Sequence, residues 1–209
     1  MNEFEKRLRW GVDQLGLTLN DDVIERLLSY HGLLVKWNKA YNLTSVRDAM
    51  QMVDRHLIDS LSILPFLSHE RLIDVGTGPG LPGMVAALVR EEQSIALLDS
   101  NGKKCRFLNQ VKMSLKVDNC QVVHHRLESW QPDEQYQQIT SRAFATLSDM
   151  VAFSRHLLAK DGRFIAMKGL YPHDEIAQLP SDIEVVKVSP LAVPGTDGER
   201  HLVELGIKS

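Results

Sequence analysis

Leu72-Ile73-Asp74-Val75-Gly76-Thr77-Gly78-Pro79-Gly80-Leu81-Pro82-Gly83 is the stretch that decides the fold. A short apolar run ends at Val75, a glycine-dense turn follows, and Pro82 suits the first turn of a helix. Glycine tolerates positive φ and lets backbone approach a ligand with no Cβ in the way. A structural tight turn needs one or two glycines, yet Gly76, Gly78, Gly80 and Gly83 fall within eight residues. Such a loop at the carboxyl end of a buried strand is where open α/β sheets hold nucleotides.

The surrounding chain has the matching rhythm. Apolar runs at 72–75, 94–98, 121–123, 139–144 and 163–168 alternate with helical stretches at 82–90, 101–115 and 148–158, a short helix after residue 123, and a last one at 174–179. Alternation of this kind predicts a parallel sheet covered on both faces. The runs 183–188 and 201–207 break it, because the Pro194–Gly198 turn between them cannot hold a crossover helix, so that pair is expected to be antiparallel. Upstream, Phe4, Leu8, Val12 and Leu15 repeat at helical spacing, with Gly16 as a left-handed cap. Thr18 or Asn20 caps a second helix carrying Val23, Leu27, Tyr30, Leu34, Trp37 and Tyr41. A third runs from about Asp48 to Pro65. The division expected is a helical cap over 1–67 and a Rossmann-like domain over 68–209.

Composition narrows the function. The 209 residues carry 24 Lys+Arg against 27 Asp+Glu, a net charge of −3, with 44% hydrophobic and 24% charged residues. That suits a soluble globular chain, and any nucleic-acid partner would need a local basic patch. No run approaches the roughly 18 apolar residues of a membrane span, and MNEFEKRLRW does not read as a secretory leader. Cys105 and Cys120 have no metal or redox spacing, which fits a reducing cytoplasm. No metal is expected, since His124 and His125 lack ligand companions. The expected state is a cytoplasmic monomer.

The glycine loop has two registers. From Gly78 it formally fits G-x-G-x-x-G, the dinucleotide pattern of a nicotinamide-dependent dehydrogenase. Asp74 argues otherwise: a carboxylate there repels a pyrophosphate but attracts the ammonium and sulfonium of S-adenosylmethionine. Asp99, closing the second strand, is placed either to take ribose hydroxyls or to cap the next helix.

Several segments together carry a family likeness. They are residues 37–45 (WNKAYNLTS), 55–60 (RHLIDS) and 74–83, Leu98-Asp99-Ser100 with Lys103-Lys104, Ser141-Arg142-Ala143, Met167-Lys168-Gly169 and Gly198-Glu199-Arg200-His201. Spanning nearly the whole chain in order, they resemble the bacterial ribosomal RNA small-subunit methyltransferase G family, also called glucose-inhibited division protein B. The resemblance implies a class I S-adenosylmethionine-dependent methyltransferase fold: a mostly parallel seven-stranded sheet with an antiparallel last strand, plus an N-terminal helical cap. It implies methyl transfer to guanine N7 in the decoding-region loop, with S-adenosyl-L-homocysteine as product and 16S rRNA or the small-subunit particle as partner. By the family pattern, Gly76, Leu81, Leu127, Glu128 and Arg142 contact the methyl donor; Asp74, Gly78 and Asp99 join them from the reading above.

The residues agree with that chemistry. Thr140-Ser141-Arg142-Ala143-Phe144 lacks the Asn/Asp-Pro-Pro-aromatic loop of exocyclic-amine methylation, and neither cysteine is placed as a nucleophile for pyrimidine C5. Guanine N7 has an in-plane lone pair and no proton, so no general base is required. Arg142, Lys168 and Arg200 are expected at one sheet edge as donors to guanine O6. Arg200 could equally hold a phosphate, and Lys168 could snorkel at its strand end. Lys103, Lys104 and Arg106 either grip RNA backbone or form a solvated helix face. Asn42 and His56 either wall the guanine pocket, or His56 pairs with Asp59 to dock the cap.

Overall fold

The computed structural model describes residues 1–142 and 144–208. Ala143, part of the expected fourth strand and of the Ser141-Arg142-Ala143 motif, and Ser209, the end of the expected second domain, lie outside the described residues. Seven strands form one sheet: β1 (Leu72–Val75), β2 (Ile95–Asp99), β3 (Cys120–His124), β4 (Tyr136–Ser141), β5 (Leu158–Lys168), β6 (Ile183–Pro190) and β7 (His201–Ile207). Their order is β3-β2-β1-β4-β5-β7-β6. β1 to β5 pair in parallel, and β7 runs antiparallel to both β5 and β6. The chain therefore builds outward from β1 through β2 and β3, then reverses to β4 on the other side. That reversal opens a crevice between the carboxyl ends of β1 and β4, the usual ligand position in such sheets.

The N-terminal helices cover one sheet face. Asn2 caps α1 (Glu3–Gln14) by accepting from Glu5 N–H, and Asn20 caps α2 (Asp21–Tyr41) by accepting from Val23 N–H. A Cβ at Gly11 would lie 2.2 Å from Ile58 Cδ1, so only glycine lets α1 seat this closely. Leu8, Leu27, Leu34, Leu57 and Ile58 are fully buried and share one core with Leu72, Leu97 and Leu202 of the sheet. Each such side chain contributes roughly 1.5–3 kcal/mol of burial.

Some boundaries differ from the sequence reading. The third helix is not uniform: α3 (Ala49–Met52) passes into a π-helical segment, Val53–Ile58, then α4 (Asp59–Leu61). Pro65 does not end it cleanly but sits within a 3-10 turn, Leu64–Phe66. Hydrophobic spacing reports one buried face and is blind to the widened turn, in which Asp59 N–H reaches back to Asp54 O. β4 starts earlier than expected because Tyr136 is buried under the Arg71 guanidinium and Gln138 bonds Ser68, so polar-looking residues belong to the strand. β5 begins at Leu158, where a helix end was expected, because α7 (Leu147–Ser154) gives way to a 3-10 turn. Pro82 stands at the cap of α5 (Gly83–Val89) rather than in its first turn.

Candidate active site

Asp74 is the penultimate residue of β1 and lies fully buried beneath the glycine loop. Its Oδ2 accepts from Thr77 Oγ1 at 2.6 Å and from Gly83 N–H at 2.8 Å, tying both ends of the loop to the strand. Its Oδ1 is buried with no hydrogen-bond partner among the described residues. Burial pushes the carboxyl up to about 7, against the opposing pull of Thr77, Gly83 N–H and Arg142. The sequence reading set this carboxylate beside a ligand, whereas the structure makes it first a brace, with one oxygen left over.

The loop itself fits a ligand. Gly76 has φ +67°, and a Cβ built there meets nothing within 4 Å. Gly83 is the reverse case: its Cβ would strike Leu97 Cδ2 at 2.4 Å and Asp74 Cβ at 2.7 Å. Tyr30 on α2, fully buried, donates its hydroxyl to Pro79 O at 2.8 Å, so the cap helps shape the loop. Burial raises that phenol, which stays protonated.

Asp99 Oδ2 accepts from Gly78 N–H at 2.9 Å and Oδ1 from Asn101 N–H at 2.8 Å. The cap of α6 (Gly102–Leu115) is Asn101, which accepts from Lys103 and Lys104 N–H, so the capping alternative for Asp99 is set aside. Lys104 Nζ lies 3.9 Å from Asp99 Oδ2 and points toward the glycine loop. Lys103 instead lines a shallow groove with Arg106 and His124. Leu127 is buried and Glu128 exposed in a one-turn helix, Leu127–Ser129, that follows β3.

A cleft of about 360 Å³ opens beside this edge, at the lower end of small-molecule site sizes. Arg142, Lys168 and Arg200 all line it, with Arg55, His56 and Asp59 from the helical cap. The convergence follows from topology: Arg142 follows β4, Lys168 ends β5, and Lys168 pairs with His201 in the antiparallel register, which brings Arg200 alongside. The ion pairs are Asp59 Oδ2 to Arg142 Nη1 at 3.2 Å, Asp59 Oδ1 to Arg200 Nε at 3.3 Å, and Lys168 Nζ to Glu175 Oε2 at 2.7 Å.

Of the two alternatives for His56, pairing with Asp59 is not formed, since Asp59 takes the two arginines, and His56 instead lines the cleft. The π-helical segment changes which groups share a face and frees Arg55 O to accept from Arg142 Nη1 at 2.9 Å. His56 lies 2.9 Å from Thr44 Oγ1 through Nε2 and 2.9 Å from Arg55 O through Nδ1. Burial, then the nearby Arg142 charge, pulls the imidazole down to about 4, so it is neutral at pH 7. Asn42 does not line the cleft. It is exposed, and as the left-handed cap of α2 at φ 53° it returns its N–H to Asn38 O. A short polar side chain tolerates that conformation.

Sequence reasoning missed Tyr30, Asp59 as a hub, and Glu175. The only sequence signal for the first was a hydroxyl within an apolar stripe. Both cysteines are buried and free, and burial pushes their thiols up to about 11 for Cys105 and about 12 for Cys120, away from nucleophile chemistry.

Comparison with known proteins bears on these features. The family model described as rRNA small subunit methyltransferase G matches residues 23–203. The chain belongs to that family. It is 53% identical to the "Ribosomal RNA small subunit methyltransferase G" of Marinobacter nauticus, covering 94% of this chain and 92% of that protein. The namesake in Pseudomonas syringae pv. tomato is 50% identical, with 96% and 95% covered. Among solved structures, the glycopeptide N-methyltransferase MtfA complexed with S-adenosyl-L-homocysteine aligns with a TM-score of 0.62 at 10% identity, over 73% of this chain and 87% of that one. Ribosomal protein L11 methylase from Lactobacillus delbrueckii subsp. bulgaricus aligns at 0.55 with 16% identity, over 71% and 76%. These two share the fold. In this member of the methyltransferase G family, the glycine loop and the arginine cleft sit side by side on one sheet edge. Among the described residues, no helix is long and apolar enough to cross a membrane.

Proposed function

We propose that this protein transfers a methyl group from S-adenosylmethionine to N7 of a guanine in 16S rRNA, in the decoding-region loop. The observation that carries the reading is the adjacency of a glycine loop with an open approach at Gly76 to a cleft that gathers Arg142, Arg200 and Lys168. Gly76, Gly78 and Leu81 of the loop, Asp74 through its spare Oδ1, Asp99, Leu127, Glu128 and Arg142 are the residues that would hold the cofactor. When bound, the cofactor would supply an electrophilic methyl on a sulfonium, and S-adenosyl-L-homocysteine would be what remains of it after transfer.

The chain's own part is alignment and electrostatics. N7 carries no proton, so the residues move none. A guanine methylated at N7 would carry a positive charge, so what these residues would contribute is alignment of N7 with the methyl and an electrostatic setting for that charge. Opposing charge is built into the cleft in part: Lys168 is paired with Glu175, Asp59 balances one of the two arginine charges, and His56 is neutral. Guanidinium N–H groups can donate to O6, the neighbour of N7. Lys103, in its groove with Arg106 and His124, would supply positive charge for RNA backbone, while Lys104 stays beside Asp99 and the glycine loop. The same reading places the protein in the cytoplasm, acting as a monomer on 16S rRNA or the small-subunit particle.

The test is nucleoside analysis after incubating purified protein with methyl-labelled cofactor and undermethylated small-subunit RNA, naked or assembled. Label in 7-methylguanosine is expected; label in another nucleoside, or none, refutes the reading.

A further inference from the structure

We propose that Asp59 reads the target base, accepting hydrogen bonds from guanine N1–H and the 2-amino group while an adjacent arginine donates to O6. This rests on the guanine-N7 reading above and assigns the group that selects the base.

Asp59 is 4% exposed, yet it is the one carboxylate among the described residues lining the cleft. Each of its oxygens holds a single guanidinium contact, at 3.2 and 3.3 Å, longer than the 2.7–2.9 Å of tight charge-assisted bonds. An ionised carboxylate offers about four lone-pair sites, so acceptor capacity remains. Two neighbouring polar groups of the cleft, His56 and Lys168, are already engaged. His56 has Thr44 Oγ1 and Arg55 O at its two ring nitrogens, and Lys168 is on Glu175.

An arginine–carboxylate pair sets donors beside acceptors, and the Watson–Crick edge of guanine is the complement: O6 accepts, while N1–H and the 2-amino group donate. Adenine inverts the pattern, turning its N1 lone pair toward the carboxylate and its 6-amino hydrogens toward the guanidinium. Buried charges left facing like partners are costly, which makes this arrangement selective rather than merely adhesive. Gripping the base by that edge leaves N7 uncovered. The competing role for Asp59 is positioning alone: holding Arg142 and Arg200 without touching the base.

Inosine separates the two, because it keeps O6, N1–H and N7 and lacks only the 2-amino group. Single-turnover methylation, and RNA binding in the presence of S-adenosylhomocysteine, are compared for guanosine and inosine at the target nucleotide, with wild type and Asp59→Asn. Wild type is expected to lose about 10–100-fold in kcat/KM on inosine, the loss typical of a hydrogen bond to a charged group. Weaker binding should accompany that loss. Asp59→Asn is expected to fall on guanosine by a similar factor, with its guanosine-to-inosine ratio collapsing toward one. Equal handling of the two bases by wild type overturns the proposal even if the variant fails to fold. So does an Asp59→Asn protein that is slowed equally on both bases and keeps the wild-type ratio. If wild type leaves guanosine itself unmethylated, the functional reading fails, and this one with it.

Discussion

Replacing Asp74 with Asn separates the brace from the charge. The amide oxygen of Asp74→Asn can still accept from Thr77 Oγ1 and Gly83 N–H, so the loop keeps its shape. What disappears is a fully buried titration. The carboxyl rises from an ordinary 3.8 to about 7 on folding, so the folded state binds the proton more tightly than the unfolded chain. Its stabilising contribution is therefore fully present below pH 3.8 and is lost as pH climbs through 7. At about 1.4 kcal/mol per unit, the wild-type disadvantage above pH 7 is of order 4 kcal/mol. The variant lacks that slope. Against it stands a pH-independent penalty of about 1–3 kcal/mol for an amide NH2 buried where Oδ1 has no partner. Urea unfolding of both proteins at pH 5, 6, 7 and 8 should show the variant gaining on wild type with each step to pH 7, then holding level. Calorimetry with S-adenosylhomocysteine should show affinity reduced about 10-fold or more, as for loss of a charge-assisted bond. A stability difference that does not change with pH, or undiminished ligand binding, refutes the reasoning.

Four further outcomes follow from neighbouring residues. Tyr30→Phe keeps the ring and deletes the bond to Pro79 O; it should destabilise by about 1–2 kcal/mol and lower the melting temperature by roughly 2–8 °C by calorimetry. His56 is held neutral with its imidazole pulled down to about 4, so its contribution is present above the ordinary 6.5 and is lost as pH falls through 4. His56→Asn should therefore flatten the acid limb of the stability profile between those values, measured by denaturant midpoint. Gly83→Ala must displace Leu97 and Asp74 and should cost about 1–3 kcal/mol by urea titration. Gly76→Ala meets no atoms, so its fold should lose only about 1–2 kcal/mol of backbone strain while ligand binding drops more sharply.

The legible part of the fold was the part written in local pattern. A strand, a glycine loop and a helix around Asp74 were readable because burial, turn chemistry and capping act within a dozen residues. The arrival of Arg200 beside Lys168 was readable as well, since an antiparallel last strand has one geometric outcome. Asp59 was not, because its partners lie 83 and 141 residues away and are chosen by tertiary packing. The π-helical turn was hidden for a related reason: Val53, Leu57 and Ile58 bury as in an ordinary helix, while the altered hydrogen bonding that frees Arg55 O leaves no mark on hydrophobic spacing. The double duty of Asp74 was half visible. Charge type argued for a cationic ligand, but only the folded structure reveals that one oxygen is committed to the loop.

The most direct trial is mass spectrometry of 16S rRNA fragments from cells with and without the gene. Loss of a single 7-methylguanosine from the decoding-region loop, restored by wild type and not by a variant lacking the Arg142 side chain, is the predicted result. A modification that persists unchanged in the deletion strain contradicts it.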